Sequence, residues 1–115
     1  MGKRRNIVAL ITSSEFGEGE KTLGTLLMRS FIKSLAMSDE PPTMCIFINS
    51  GVKLTTKGSP AIKDLISLQD GGCSVASCGT CLDFYNLKNM LEVGEVGNMA
   101  DTVRYLSSAD VVIRP

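Results

Sequence analysis

The stretch Cys73-Ser74-Val75-Ala76-Ser77-Cys78-Gly79-Thr80-Cys81-Leu82-Asp83 changes character half-way along. Cys73 to Ser77 is short and β-leaning. Thr80-Cys81-Leu82-Asp83 then has the spacing of a capping box, with Asp in place of the usual Glu, and opens a helix. A strand that passes almost directly into a helix is half of a β-α-β unit. Three of the four cysteines fall within this stretch.

Upstream, Gly71-Gly72 closes a helix that Ser59-Pro60 starts, with Ser as N-cap and Pro at the first helical position. Ile62, Leu65, Ile66 and Gln69 lie on one face of it. Thr43 to Asn49 is a near-continuous apolar run, as expected of a strand buried on both faces, and Asn49-Ser50-Gly51 ends it with turn chemistry. Before Pro41-Pro42, Leu23, Leu26, Leu27, Phe31 and Leu35 recur at helical spacing over about four turns. Asn6 to Thr12 is the first buried strand, followed by the polar loop Ser13 to Glu20. Downstream, Val93 to Val96 is a weak strand. Asn98 to Asp101 repeats the cap spacing before Val103 and Leu106, and Asp110 to Arg114 is the last strand. This βαβαβαβαβ order predicts one α/β domain over residues 1–115, a three-layer α/β/α sandwich around a five-stranded parallel sheet.

The chain has 115 residues, 43% of them apolar and 21% charged, as in an ordinary globular domain. Twelve basic and twelve acidic residues cancel, which removes any broad basic field for nucleic acid or anionic lipid. Lys3-Arg4-Arg5 reads as a solvated tail. No apolar run approaches the ~18 residues of a membrane span. Ile7 to Ile11 is too short for a signal-peptide core, and Asn6 leaves the N-terminal Met-Gly short of a myristoylation signal. The expected location is cytoplasmic, where clustered cysteines serve catalysis or metal binding more often than structural disulfides.

In a parallel sheet, ligands bind outside the carboxyl ends of the strands. That rim carries Ser13 to Glu20, Asn49 to Lys53, and Cys78 to Cys81. Cys78-x-x-Cys81 has the spacing of a redox pair, and the helix N-terminus and Lys53 could each lower a thiol pKa. Cys45, inside an apolar strand, reads as packing, while Cys73 stands between packing and chemistry. Cys73-x4-Cys78-x2-Cys81 matches an iron–sulfur ligand run, but no fourth cysteine follows and the chain has no histidine, so no metal is expected. Gly17-Glu18-Gly19-Glu20-Lys21-Thr22 superficially resembles a P-loop. Glu20 and Glu15 stand where that motif needs glycine, and carboxylates would repel phosphate. Glu15, Glu18 and Glu20 read as solvated surface acids rather than acid–base groups. No cofactor is expected.

The sequence resembles the DsrE-like sulfur-relay family, and most closely the DsrE-like C-terminal domain of YedF-type proteins, which are sulfurtransferase-like and associated with selenium metabolism. The resemblance rests on Glu18-Gly19 before Leu23-Gly24, on Phe47-Ile48-Asn49-Ser50-Gly51-Val52-Lys53-Leu54, on Ser77-Cys78-Gly79-Thr80-Cys81-Leu82, and on Val93-Gly94-Glu95-Val96-Gly97-Asn98-Met99. It implies a five-stranded parallel sandwich assembled as a homo-oligomer (dimer, trimer or hexamer). It also implies that Cys78 carries a persulfide between sulfur donor and acceptor proteins, with a TusA-like carrier among the expected partners and neither nucleic acid nor membrane.

The expected function is therefore a sulfur or selenium carrier. Cys78 holds the sulfane sulfur, and Cys81 releases it by forming a disulfide. Asn49, Ser50, Gly51 and Lys53 line the pocket, Gly79 permits close backbone approach, and Thr80 caps the helix. Two alternatives stay open: a thiol–disulfide oxidoreductase using Cys78 and Cys81, and a non-catalytic oligomeric binding module whose cysteines only pack.

Overall fold

The computed structural model describes residues 4–115. Met1, Gly2 and Lys3, and with them part of the N-terminal basic cluster, lie outside the described residues. The strands are β1 (Ile7–Ile11), β2 (Met44–Phe47), β3 (Ser74–Cys78), β4 (Glu95–Gly97) and β5 (Val111–Ile113). The α-helices are α1 (Lys21–Met37), α2 (Ile62–Asp70), α3 (Gly79–Phe84) and α4 (Met99–Ser108). All strand pairs are parallel, in the order β4-β3-β2-β1-β5.

That order explains how the helices divide between the faces. From β1 to β4 the chain steps across the sheet in one direction, so right-handed crossovers put α1, α2 and α3 on the same face. From β4 it returns across the whole sheet to β5, which puts α4 on the other. The main core accordingly joins Met28 and Ile32 of α1, Leu65 and Leu68 of α2 and Leu82 of α3 to Ala9, Ile11, Cys45, Phe47 and Val75 of the sheet. The second core is small: Val8, Met44 and Ile46, covered by Leu106 of α4 and by Ala109. Strands buried on both faces read as unbroken apolar runs, and β2 is buried at every position.

Several expected details differ. On α1 the buried stripe is Gly24, Met28 and Ile32, with Phe31 and Leu35 beside it, whereas Leu23, Leu26 and Leu27 are exposed. The close fit comes at Gly24, where an added Cβ would stand 2.9 Å from the Glu15 Cβ. On α2 the buried residues are Leu65 and Leu68, while Ile66 and Gln69 face outward. Ser59 does act at that helix start, accepting a hydrogen bond from the Ala61 N–H at 3.1 Å, but the α-helix begins only at Ile62. The cap expected at Asn98 is present, its side chain accepting from the Asp101 N–H at 2.8 Å. The cap expected from Thr80 is not: β3 runs on to Cys78, α3 begins at Gly79, and no side chain caps it.

Candidate functional site

β2 and β3 end side by side, Phe47 pairing with Ser77 across the ladder. β3 passes directly into α3. β2 leaves through Ile48 into a 3₁₀ helix, Asn49–Thr55, that folds over the carboxyl rim. Gly51 lets it lie close: a Cβ there would collide with the Ile11 carbonyl at the end of β1. A buried hydroxyl pair fastens it from below, with Thr55 Oγ1 and Ser77 Oγ 2.7 Å apart. Thr55 donates its own proton to the Val52 carbonyl, so Ser77 is the donor between the two.

The 3₁₀ helix starts with Asn49 at φ +54°, a left-handed conformation that Asn adopts more readily than other non-glycine residues. The Asn49 N–H donates to Cys81 Sγ at 3.1 Å. The Asn49 Oδ1 accepts a long hydrogen bond, 3.5 Å, from the Tyr85 hydroxyl. Lys53 Nζ sits 4.5 Å from the centre of the Tyr85 ring, a cation–π contact. Cys81 thus lines a groove of about 410 Å³ with Ile48, Asn49, Thr80, Phe84, Tyr85 and Met99. The rim is apolar and open to solvent, with Phe84 79% and Met99 55% exposed.

Burial pushes the Cys81 thiol pKa up, the Asn49 N–H pulls it back down, and the Cys78 thiol raises it again. The thiol-lowering environment expected at the helix start is therefore not realised at Cys81, because desolvation outweighs the single backbone donor. Cys78 itself is 7% exposed, at the N-cap of α3, and packs in the main core beneath the groove. An outer thiol on an apolar groove, with an inner thiol behind it, can exchange a sulfane sulfur or a disulfide with a docked thiol.

No protein-family model matches the sequence, and no curated protein matches it. Solved structures do. The YchN protein from E. coli superposes with a TM-score of 0.74 at 16% identity, over 96% of this chain and 99% of that one. MTH1491 from Methanobacterium thermoautotrophicum, described as a protein of unknown function, gives 0.70 at 20% identity over 96% and 99%. BT1422 from Bacteroides thetaiotaomicron, a conserved protein of unknown function, gives 0.65 at 10% identity over 96% and 95%.

The fold is shared with these structures: a five-stranded parallel sheet between two helical layers.

Within this frame the residues singled out from sequence divide. Cys81, Asn49 and Thr80 line the groove, while Cys78 lies under it. Ser50 turns away, its hydroxyl accepting from the Ser14 N–H at 3.2 Å and so tying the loop after β1 to the 3₁₀ helix. Gly51 is buried against β1, and the half-buried Gly79 lies against β4, where an added Cβ would stand 3.0 Å from Val96 Cγ1. Lys53 is exposed and reaches the site only through Tyr85. Among the described residues no three His, Cys, Asp or Glu side chains cluster as a metal site would require. Cys45 and Cys73 meet at the other end of β3 from Cys78 and Cys81.

Phe84, Tyr85 and Met99 were missing from the sequence reading. The signal for the first two was available: residues three and four beyond Cys81 on a helix share its face. Met99 carries no such signal, because it reaches the groove from the start of α4, a separate segment of chain.

Proposed function

We propose that this protein is a thiol-based sulfur carrier, related to the YedF-type branch, that loads a sulfane sulfur at the Cys78–Cys81 pair. The supporting observation is the Cys81 sulfur, held by the Asn49 N–H on an open apolar groove with a second thiol behind it. The resemblance assigned the persulfide to Cys78. The burial of that side chain favours Cys81 as the loading thiol, with Cys78 as its partner.

In loading, the Cys81 thiolate attacks the outer sulfur of a donor persulfide. A sulfur–sulfur bond forms at Cys81, the donor's breaks, and the donor leaves as a thiolate, with no net oxidation. An acceptor thiolate takes the sulfur by the same step. Alternatively, Cys78 attacks the Cys81 sulfur, hydrosulfide leaves, and the resulting disulfide is reset by a dithiol reductant. Donor and acceptor are small carrier proteins of the TusA-like kind, and the apolar rim supplies the surface on which they dock. The chain acts as one cytoplasmic domain within a homo-oligomer. No helix among the described residues is long and apolar enough to cross a membrane.

The experiment is cyanolysable sulfur after incubation with a low-molecular-weight persulfide. Loading is expected in the unmodified chain and in Cys78→Ala, and not in Cys81→Ala. Loading lost in Cys78→Ala but kept in Cys81→Ala returns the persulfide to Cys78. Equal loading in the double variant refutes the carrier. The spacing of Cys78 and Cys81 also supports a thiol–disulfide oxidoreductase, in which Cys78→Ser and Cys81→Ser abolish insulin-disulfide reduction equally and no sulfur adduct accumulates.

A further inference from the structure

Cys45 and Cys73 take no part in the groove. Cys45, on β2, is fully buried, and Cys73, just ahead of β3, is 4% exposed. Their sulfurs lie 3.7 Å apart, near the amino end of the sheet. Most buried cysteines are isolated small apolar side chains; this pair is in sulfur–sulfur contact. We propose that Cys45 and Cys73 form a second, reversible dithiol–disulfide couple, a redox-sensitive clasp between β2 and the start of β3 that is independent of the sulfur-carrying groove.

Three observations carry it. First, closing 3.7 Å to a bond of about 2.05 Å requires one thiol to move by less than the width of an atom. Second, Cys73 lies outside the strand ladder, its N–H donating to the Leu68 carbonyl at the end of α2. It follows Gly71-Gly72, where Gly72 has φ +106° and nothing within 4 Å of an added Cβ, and it precedes the first ladder residue, Ser74. Third, a small oxidant has an approach, because Cys73 borders a cleft of about 50 Å³ beside Arg4, Pro41, Pro42, Ser67 and Gly71. The division of labour follows from the surroundings. The Cys45 thiol and the positive charge of Arg4 favour ionised Cys73 against burial, while Cys45 is held protonated by Cys73 and by burial.

With hydrogen peroxide as oxidant, the Cys73 thiolate attacks one oxygen, the O–O bond breaks, and Cys73 becomes a sulfenic acid as hydroxide leaves and is protonated to water. The Cys45 sulfur then attacks Cys73 sulfur, loses its proton, and displaces the sulfenic oxygen as a second water. Two thiols are oxidised by two electrons, and one peroxide is reduced to two waters. A dithiol reductant reverses the bond by exchange.

The test is peptide mapping of the full chain after hydrogen peroxide treatment, with alkylation of remaining thiols under denaturing conditions. It is run on the unmodified protein and on Cys78→Ser/Cys81→Ser, so that failure of the carrier reading leaves it untouched. In the Cys78→Ser/Cys81→Ser chain the expected result is loss of both remaining alkylatable thiols and a mass lower by two hydrogens. In both chains one cross-linked peptide pair holds Cys45 and Cys73, and dithiol reductant restores the thiols. Full alkylation of Cys45 and Cys73 after treatment would overturn the proposal. So would Cys73 advancing to sulfinic acid without a cross-link. If the double variant fails to fold, the cross-link map of the unmodified chain decides alone.

Discussion

Cys81 owes its environment to one residue in an unusual backbone conformation. Asn49, at φ +54°, gives the sulfur its backbone donor, while burial and the neighbouring Cys78 thiol keep the proton on. A raised thiol pKa means a smaller thiolate fraction at any given pH. Alkylation of Cys81 by iodoacetamide, followed by peptide mass mapping, should therefore keep accelerating at pH values where free cysteine has already levelled off. A profile at or below that of free cysteine would contradict the geometry. Glycine tolerates the left-handed region and alanine does not, so Asn49→Ala should cost about 1 kcal/mol more than Asn49→Gly in urea unfolding. Both variants keep the main-chain N–H, and the glycine variant should retain the Cys81 alkylation profile. The presence of two neighbouring thiols at the rim was legible from Cys78-x-x-Cys81, but their order of exposure was not. Exposure depends on which way β3 delivers the side chain at its end, and Cys78, the last residue of β3, points into the core.

At the level of elements, the 3₁₀ helix Asn49–Thr55 matters most to the site and was least visible in the sequence. Asn49-Ser50-Gly51 signals a turn. That the chain continues through Val52, Leu54 and Thr55 as a buried cap over the rim is a tertiary outcome, fixed by Gly51 against β1 and by Thr55 against Ser77. Thr55→Val keeps the shape but removes the acceptor for the Ser77 hydroxyl inside the core. It should destabilise the protein by about 1–3 kcal/mol, and a thermal or urea midpoint unchanged from the parent would rule out the buried pair as a fastening. The opposite lesson comes from β2, whose unbroken apolar run was readable because burial on both faces leaves no alternation to misinterpret. On α1 the apolar pattern picked out Leu23, Leu26 and Leu27, which the structure leaves outside. The buried stripe is centred on Gly24, a position that hydropathy cannot flag.

For the molecule as a whole, those leucines form an exposed apolar strip on α1, suited to the homo-oligomer proposed above. Leu26 is 54% exposed, so Leu26→Glu should leave folding intact while lowering the mass seen by light scattering to that of one chain. An unchanged mass would place any oligomer contact elsewhere. The sheet order β4-β3-β2-β1-β5 was not legible, although the alternation of elements was, because the position of β5 depends on the return of the chain across the sheet through α4. That return also brings Met99 to the groove, so the rim is assembled only in the complete fold. The central claim, that the groove thiol carries sulfur, is tested most directly by mass spectrometry of the intact protein purified without reductant, with the adduct mapped to its residue. The account predicts an added sulfur or selenium atom on Cys81, removed by cyanide. A protein that carries no such atom, even after exposure to a persulfide donor, would contradict it.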